Sequence, residues 1–319
     1  MHTKTTKRRS NVFKVSSSRS TSKTVFVVIA VFGLCGLNII RRSTGSERGL
    51  ASVTSYSSGT TFPNDWNSIW STKSTVGHHE WKTSAYPCKN APVELEDGWH
   101  KSQSEEDEEL LQWFSDICGG TYLEMGGLDG LLFSNSYVFN RGLSWKGVLI
   151  EASPSKYSKL IKNRPNEIAT VHAGACQKSM DLHWVENPDK VAVGGFLEFA
   201  ATSFQKQFWT EEAIQNAQVV KCKPLKDILQ ETVGPKFFFD FFSLDVEGAE
   251  HKVISSIDFD QVGFGIVLVE ADEHNELKNM AVRTLFESNG YIFLREHSRS
   301  YWFVNRDFAS IYEDLVYAK

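Results

Sequence analysis

The sequence predicts an α/β fold, a mostly parallel sheet with helices on both faces, and three observations predict it. From about residue 100 onward, short apolar runs alternate with amphipathic stretches, the pattern of strands joined by crossover helices. One run, TYLEMGGLDG (Thr121–Gly130), passes from a strand into a glycine-rich turn with Glu124 near the strand's end. Another, GVLIE, closes on Glu151 about a helix's length further along. A glycine turn lets backbone approach a ligand, and an acid on the next strand binds ribose hydroxyls, so the pair points to an adenosine-type cofactor.

The elements follow in order. Ser104–Ile117 reads as a helix, with Ser104 as N-cap, acids in the first turn, and Leu110, Leu111 and Phe114 as an apolar stripe. Strands are expected at Thr121–Met125, Gly147–Glu151, Ala169–Ala173, Lys236–Leu244 and Phe264–Glu270. Helices are expected at Asn135–Arg141, Ser155–Asn163, Leu225–Gln230, Glu250–Ile257 and Leu277–Ser288. Gly290–Glu296 and Tyr301–Asn305 read as two tightly joined strands, so the sheet should end in an antiparallel pair. Between Met180 and Val220 the pattern weakens to a strand at Met180–Val185, a loop over Val191–Thr202 and a short helix at Thr210–Asn216.

The first hundred residues differ. Met1–Lys23 holds seven Lys or Arg and no acid, and Thr24–Ile40 is uncharged and almost wholly apolar before Arg41-Arg42. Three readings compete: a transmembrane signal anchor, a cleaved signal peptide and an organelle transit sequence. Basic charge ahead of the apolar run favours the anchor with its N-terminus cytosolic, and a run this short suits a thinner early-secretory membrane. The expected organisation is therefore a basic tail (1–23), a single-pass type II anchor (24–40), a flexible Ser/Thr/Gly-rich stem (41–100) and a globular domain (101–319) in the lumen of the endoplasmic reticulum or Golgi. The stem's later tryptophans, Trp81 and Trp99 among them, are placed to pack on the domain's edge.

Without the tail's seven basic residues the formal charge goes from −5 to −12. A body that acidic disfavours nucleic acid, whose phosphates need clustered Lys and Arg. Of five cysteines, Cys35 lies in the apolar run. Cys88, Cys118, Cys176 and Cys222 show no CxxC and no metal-ligand spacing, so no metal site is expected from them. In a lumen they can pair, and Cys176 with Cys222, both near strand ends, is the first pair to expect.

Ligands of open α/β sheets bind beyond the strands' carboxyl ends. That rule selects Glu124, Gly126, Gly127, Asp129, Gly130, Ser134 and Asn135 after the first strand, and Glu151 and Ser153 after the second. After the fourth, FFSLDVEGAE offers Asp245 and Glu247; after the fifth, VLVEADEH offers Glu270, Asp272 and His274. Asp245, Glu247, Glu270 and Asp272 could together hold Mg²⁺, but solvated carboxylates at strand ends are the commoner case.

Three blocks, YLEMGGLDGLLFSNS, GVLIEASPSKYSKLIKNRP and FFSLDVEGAEHKVI, resemble the FkbM-type methyltransferases, a branch of the S-adenosylmethionine-dependent Rossmann-like enzymes. The resemblance spans about Gly119 to Asn305. It implies a Rossmann-like methyltransferase fold, a seven-stranded sheet with an antiparallel C-terminal strand. It also implies S-adenosyl-L-methionine as cofactor, with Glu124 and the glycines at its methionine end and Glu151 on its ribose. The chemistry implied is O-methyl transfer to a hydroxyl-bearing glycan, lipid or small molecule. A base must then take the hydroxyl proton, and the candidates bordering the pocket are Asp245 and, second, His251. Many such pockets carry a polar residue after the third strand for adenine; here HAGACQ (His172–Gln177) leaves that contact to backbone or Gln177. Membrane-anchored animal proteins of the Star type share the domain and topology. Resemblance to them implies the alternative, a non-catalytic role in secretory cargo export.

Overall fold

The structure is a computed structural model that describes residues 81–187, 193–200, 202–271, 276–297 and 299–316. The basic tail, the apolar run Thr24–Ile40, the stem to residue 80, and Asp272 and His274 lie outside the described residues. Among the described residues no helix is long and apolar enough to cross a membrane.

In chain order the strands are β1 (Tyr86–Pro87), β2 (Ile117–Cys118), β3 (Thr121–Met125), β4 (Lys146–Glu151), β5 (Ala169–His172), β6 (Gly174–Ala175) and β7 (Met180–Val185). They continue with β8 (Gly195–Phe196), β9 (Gln218–Lys223), β10 (Phe237–Leu244), β11 (Val262–Glu270), β12 (Tyr291–His297) and β13 (Ser300–Asn305). The helices are α1 (Glu106–Phe114), α2 (Tyr137–Gly142), α3 (Pro154–Asn163), α4 (Thr202–Phe208), α5 (Glu211–Gln215), α6 (Leu225–Thr232), α7 (Glu250–Ile254), α8 (Glu276–Ser288) and α9 (Phe308–Val316).

Seven strands form the main sheet in the order β12-β13-β11-β10-β3-β4-β5. The pairs from β11 across to β5 are parallel, and β13 runs antiparallel to both its neighbours. The order reverses at β3, between β10 and β4, and that reversal opens a crevice at the strands' carboxyl ends. The central strands are buried on both faces, which is why FFFDFFSL and VGFGIVLVE read as nearly unbroken apolar runs. One face packs Tyr122, Leu149, Phe241 and Trp302 against Phe114 of α1, Phe139 of α2 and Tyr312 of α9. The other packs Leu123, Ile150, Phe242 and Phe264 against Leu225 of α6, Ile254 of α7 and Phe286 of α8.

Residues 81–100 pack on this body. Trp81 stacks on Phe238, and Thr83 donates a hydrogen bond to Asp240, a buried carboxylate in β10. Asp240 also accepts from the Thr121 N–H and from Tyr312, so it ties the chain before α1 and the last helix to the same strand. Disulfides join Cys88 to Cys118 and Cys176 to Cys222, the second being the expected pair.

Ser104 does not cap α1. Glu105 holds that position with a left-handed backbone (φ 67°) and no side-chain cap. Glu106 reaches back to accept the Ser104 N–H instead, and Asp107 accepts from Lys101 and Ser102, so acids rather than a hydroxyl organise this start. The helix stops at Phe114 and not Ile117 because Asp116 turns left-handed (φ 61°) and leads into β2. The weak middle region folds as a second sheet, β6-β9-β7-β8, with α4 beginning where a loop was expected to end.

Candidate functional site

Parallel pairing of β3 with β4 sets Glu124 opposite Leu149, so Glu124 and Glu151, with the two-residue alternation of a strand, project from the same face. Both carboxylates are buried, each 3% exposed, and both are engaged by their own loops. Glu124 accepts from the Asn135 N–H at 2.7 Å and from the Ser134 and Ser136 hydroxyls at 3.0 and 2.5 Å. Glu151 accepts from the Leu128 N–H at 2.8 Å and the Ser153 N–H at 2.6 Å. Burial pushes the Glu124 carboxyl up, against the pull of nearby Arg164 and its hydroxyl donors. Burial likewise pushes Glu151 up to about 7, with its backbone donors opposing and neighbouring Glu186 adding to the rise.

The glycines of the turn answer first to the protein's own packing. A side chain at Gly126 (φ 81°) would strike the Asp245 carbonyl oxygen at 1.9 Å, and one at Gly130 (φ 79°) would strike Arg164 Cγ at 2.6 Å. Gly127 lies against Leu160 of α3. Asp129 closes the turn by accepting from the Leu131 and Leu132 N–H groups. Ser153 caps α3 through the Lys156 N–H and donates to Glu186. None of Gly126, Gly127, Asp129, Gly130 and Ser153 is among the residues that line the neighbouring cavity.

A cavity of about 30 Å³ lies at the carboxyl ends of β10 and β11, beside the loop that follows β3. Gln103, Glu106, Asn135, Ser243, Asp245 and Ser300 supply its polar lining, and no Lys or Arg is among the lining residues. Asn135 donates through Nδ2 to Ser243 at 2.9 Å, which turns its Oδ1 away; that buried acceptor has no hydrogen-bond partner. Asp245 does not cap the following helix, whose start is held by Glu250 accepting the Gly248 N–H at 2.9 Å. Its carboxylate is accessible to solvent yet walled by protein, and it lies close enough to Glu270 for the two to titrate together. Partial desolvation and then the charges of Asp245 and Glu247 push Glu270 up to about 10, while Glu247 is pushed up to about 8. Arg299 meets Glu270 at 2.8 Å. The Asp245–Glu270 pair thus titrates as a unit that keeps one proton well above the usual carboxylate range. His251 sits half-buried in α7 and does not line the cavity. Gln177 lines a different, open groove of about 500 Å³ with Lys226, Ser256 and Asp258. Among the described residues no group of three or more acids, histidines or cysteines is arranged to hold a metal ion.

The family profile described as "Methyltransferase FkbM domain" matches residues 124–293, more than half of the chain. The chain belongs to the FkbM methyltransferase family. Similar solved structures include an FkbM methyltransferase from Methylobacillus flagellatus KT, at 12% identity over 58% of this chain and 43% of that one, TM-score 0.35. A precorrin-6y C5,15-methyltransferase from Geobacter metallireducens GS-15 is 12% identical over 66% of this chain and 91% of that one, TM-score 0.33. An O-methyltransferase from Bacillus cereus, solved in complex with SAH, is 13% identical over 66% and 83%, TM-score 0.33. The chain therefore spans less than half the length of the first of these. No curated protein sequence matches it.

The cofactor of this FkbM domain is S-adenosylmethionine, and the donor set fits it. The molecule offers an ammonium, a sulfonium and ribose hydroxyls. The cavity offers the unpartnered Asn135 Oδ1 and the carboxylate of Glu106 to a cation, while Glu151, buried and accepting two backbone N–H groups, lies outside its lining. A phosphate-bearing cofactor would meet acids there and no cation.

Sequence reasoning missed three contributors. Glu106 comes from α1, outside every strand-end block. Ser243 is the second-last residue of an apolar strand, and a lone hydroxyl there was the signal that could have found it. Arg164, just past α3, looks in the sequence like any basic residue at a helix end.

Proposed function

We propose that this FkbM methyltransferase is a membrane-anchored O-methyltransferase of the secretory pathway, acting on a hydroxyl of a glycan, lipid or small molecule. The observation that carries the reading is the cation-free, acceptor-lined cavity with Asp245 at its mouth. When bound, the cofactor supplies an electrophilic methyl group on a sulfonium. The chain's residues do the rest: Glu151 takes the ribose hydroxyls, Asn135 and Glu106 the cationic end, and Asp245 the proton of the acceptor hydroxyl. Burial raises the Asp245 carboxyl above its ordinary value, which makes its carboxylate a stronger base than a free one, while Glu270 beside it keeps the remaining proton of the pair. Rate then comes from alignment of the acceptor oxygen with the methyl group. The two disulfides suit an oxidising lumen, and the basic tail before Thr24–Ile40 suits an N-terminus in the cytosol.

One observation favours a second reading, a non-catalytic Star-like protein in cargo transport. Glu124 and the turn glycines are already engaged by protein contacts, so their presence alone does not require a ligand. Titration of the full-length protein with S-adenosylmethionine separates the two. At a hundred times its dissociation constant the ligand should add about 2.7 kcal/mol of stability, seen as a raised melting temperature. Glu151→Ala should abolish the rise while leaving the folded signal intact. A melting curve unmoved by saturating ligand removes the enzyme reading. Protease protection of the C-terminus in sealed microsomes tests the topology, and its digestion would place the domain in the cytosol.

A further inference from the structure

Arg164 is 2% exposed, and every one of its guanidinium N–H positions is directed at a protein acceptor. Nε donates to Glu167 at 2.7 Å. Nη1 donates to the Gly130 carbonyl at 3.0 Å and the Ser134 hydroxyl at 3.1 Å; Nη2 donates to the Tyr122 hydroxyl at 2.6 Å and the Ser136 hydroxyl at 2.9 Å. Both serines, with their oxygens fixed as acceptors, must turn their protons outward, and both protons go to the same Glu124 oxygen. Glu124's other oxygen holds the Asn135 N–H, and Asn135 in turn reaches Ser243 and leaves Oδ1 at the cavity. One planar side chain therefore sets the glycine turn through Gly130 and the far end of the loop through the two hydroxyls. Its own orientation is held from behind by Glu167, which also accepts from Tyr122, Asn140 and the Gly147 N–H.

The geometry points to Arg164 as the positioning residue of the cofactor loop: acting through Ser134, Ser136 and Gly130, it holds Glu124 and Asn135 where the cationic end of S-adenosylmethionine is received. This rests on the cofactor reading above. Lysine at this position keeps the charge but cannot present a two-pronged fork. The titratable and charged groups around Glu124 are Tyr122 on its own strand and Arg164 and Glu167 beyond α3.

The test is the dissociation constant of S-adenosylmethionine for the full-length protein across acid to neutral pH, measured by calorimetry for wild type, R164K and S136A. R164K should stay folded by circular dichroism and bind about tenfold more weakly or worse, the scale of effect that losing an outer supporting partner has at metal sites. S136A removes a donor to the ionised Glu124, so the pH at which binding fails on acidification should move upward. A purely structural role would lower the melting temperature and leave that limb in place. If R164K does not fold, the double variant S134A/S136A carries the same expectation. Folded variants with wild-type affinity and an unmoved acid limb would overturn the assignment while leaving the cofactor reading standing. Wild type that binds no cofactor would instead sink the cofactor reading. Amide exchange in the ligand-free protein then decides this one: faster exchange confined to Gly126–Ser136 in R164K supports it, and a uniform increase overturns it.

Discussion

Glu124 and Glu151, at the ends of β3 and β4, are buried and spend their lone pairs on N–H and O–H donors of their own loops, with Arg164 as a fully engaged counter-charge nearby. A short distance along the same sheet edge, Asp245, Glu247 and Glu270 open to solvent, crowd one another, and meet Arg299 only at the margin. Both regions are rich in carboxylates, and both lift carboxyl pKa values, but for different reasons. In the first, burial does it, and hydrogen bonds oppose it. In the second, partial desolvation is joined by like charge. The first region is built to hold a shape. The second is built to exchange protons near neutral pH, as a general base should.

The comparison breaks most visibly at Arg164. Its removal leaves Glu124 and Glu167 buried without their shared cation, the costly way to lose a buried pair. Arg164→Met should lower unfolding free energy by about 3–5 kcal/mol, read from urea midpoints at neutral pH. Glu247→Gln, removing a charge from the open cluster, should change it little. A mild Arg164→Met would mean that the buried network is ornamental and that the contrast between the two regions is only one of exposure.

Next in size is the effect on turnover. Asp245→Asn keeps the shape of the cavity mouth and removes the base, so kcat should fall about a hundredfold or more with cofactor affinity nearly unchanged. The readout is methyl transfer into an acceptor pool from S-adenosylmethionine labelled on its methyl group. His251→Ala, outside the cavity, should leave the rate near wild type. The reverse outcome would move the base to α7 and leave the open cluster without a catalytic part.

The two regions also differed in how far the sequence revealed them. The order of strands and helices was readable because period and turn chemistry are local, and Glu124 and Glu151 fell where strand-end logic puts them. The β6-β9-β7-β8 sheet was not readable as a unit, since β9 joins β7 across the intervening α4 and α5 and nothing local specifies that partner. Asp240 carried a signal: a single acid amid phenylalanines needs buried donors, and Thr83, Thr121 and Tyr312 supply them from distant positions. Arg164 carried none, because a basic residue at a helix end has the same local appearance whether it faces water or fills a buried network. Functional acids are legible from spacing, while the groups that hold them become legible only in three dimensions.

The smallest effect concerns the open cluster's cost to the fold. Glu247 and Glu270, at about 8 and about 10 in the folded protein, lie above the value of about 4.3 expected in an unfolded chain. Between those limits the folded state binds more protons than the unfolded one, so stability should fall as pH rises from about 5 toward 10. Glu270→Gln removes one of the ionisations responsible and should flatten the decline. Arg299 and solvent offset much of the repulsion, so the gain should be about 1 kcal/mol or less near pH 9 and vanish near pH 5. Urea midpoints at the two pH values, compared between wild type and variant, decide it. A variant that loses stability equally at both would show that Glu270 serves the fold through Arg299, and the open cluster would then resemble the buried one more than its exposure suggests.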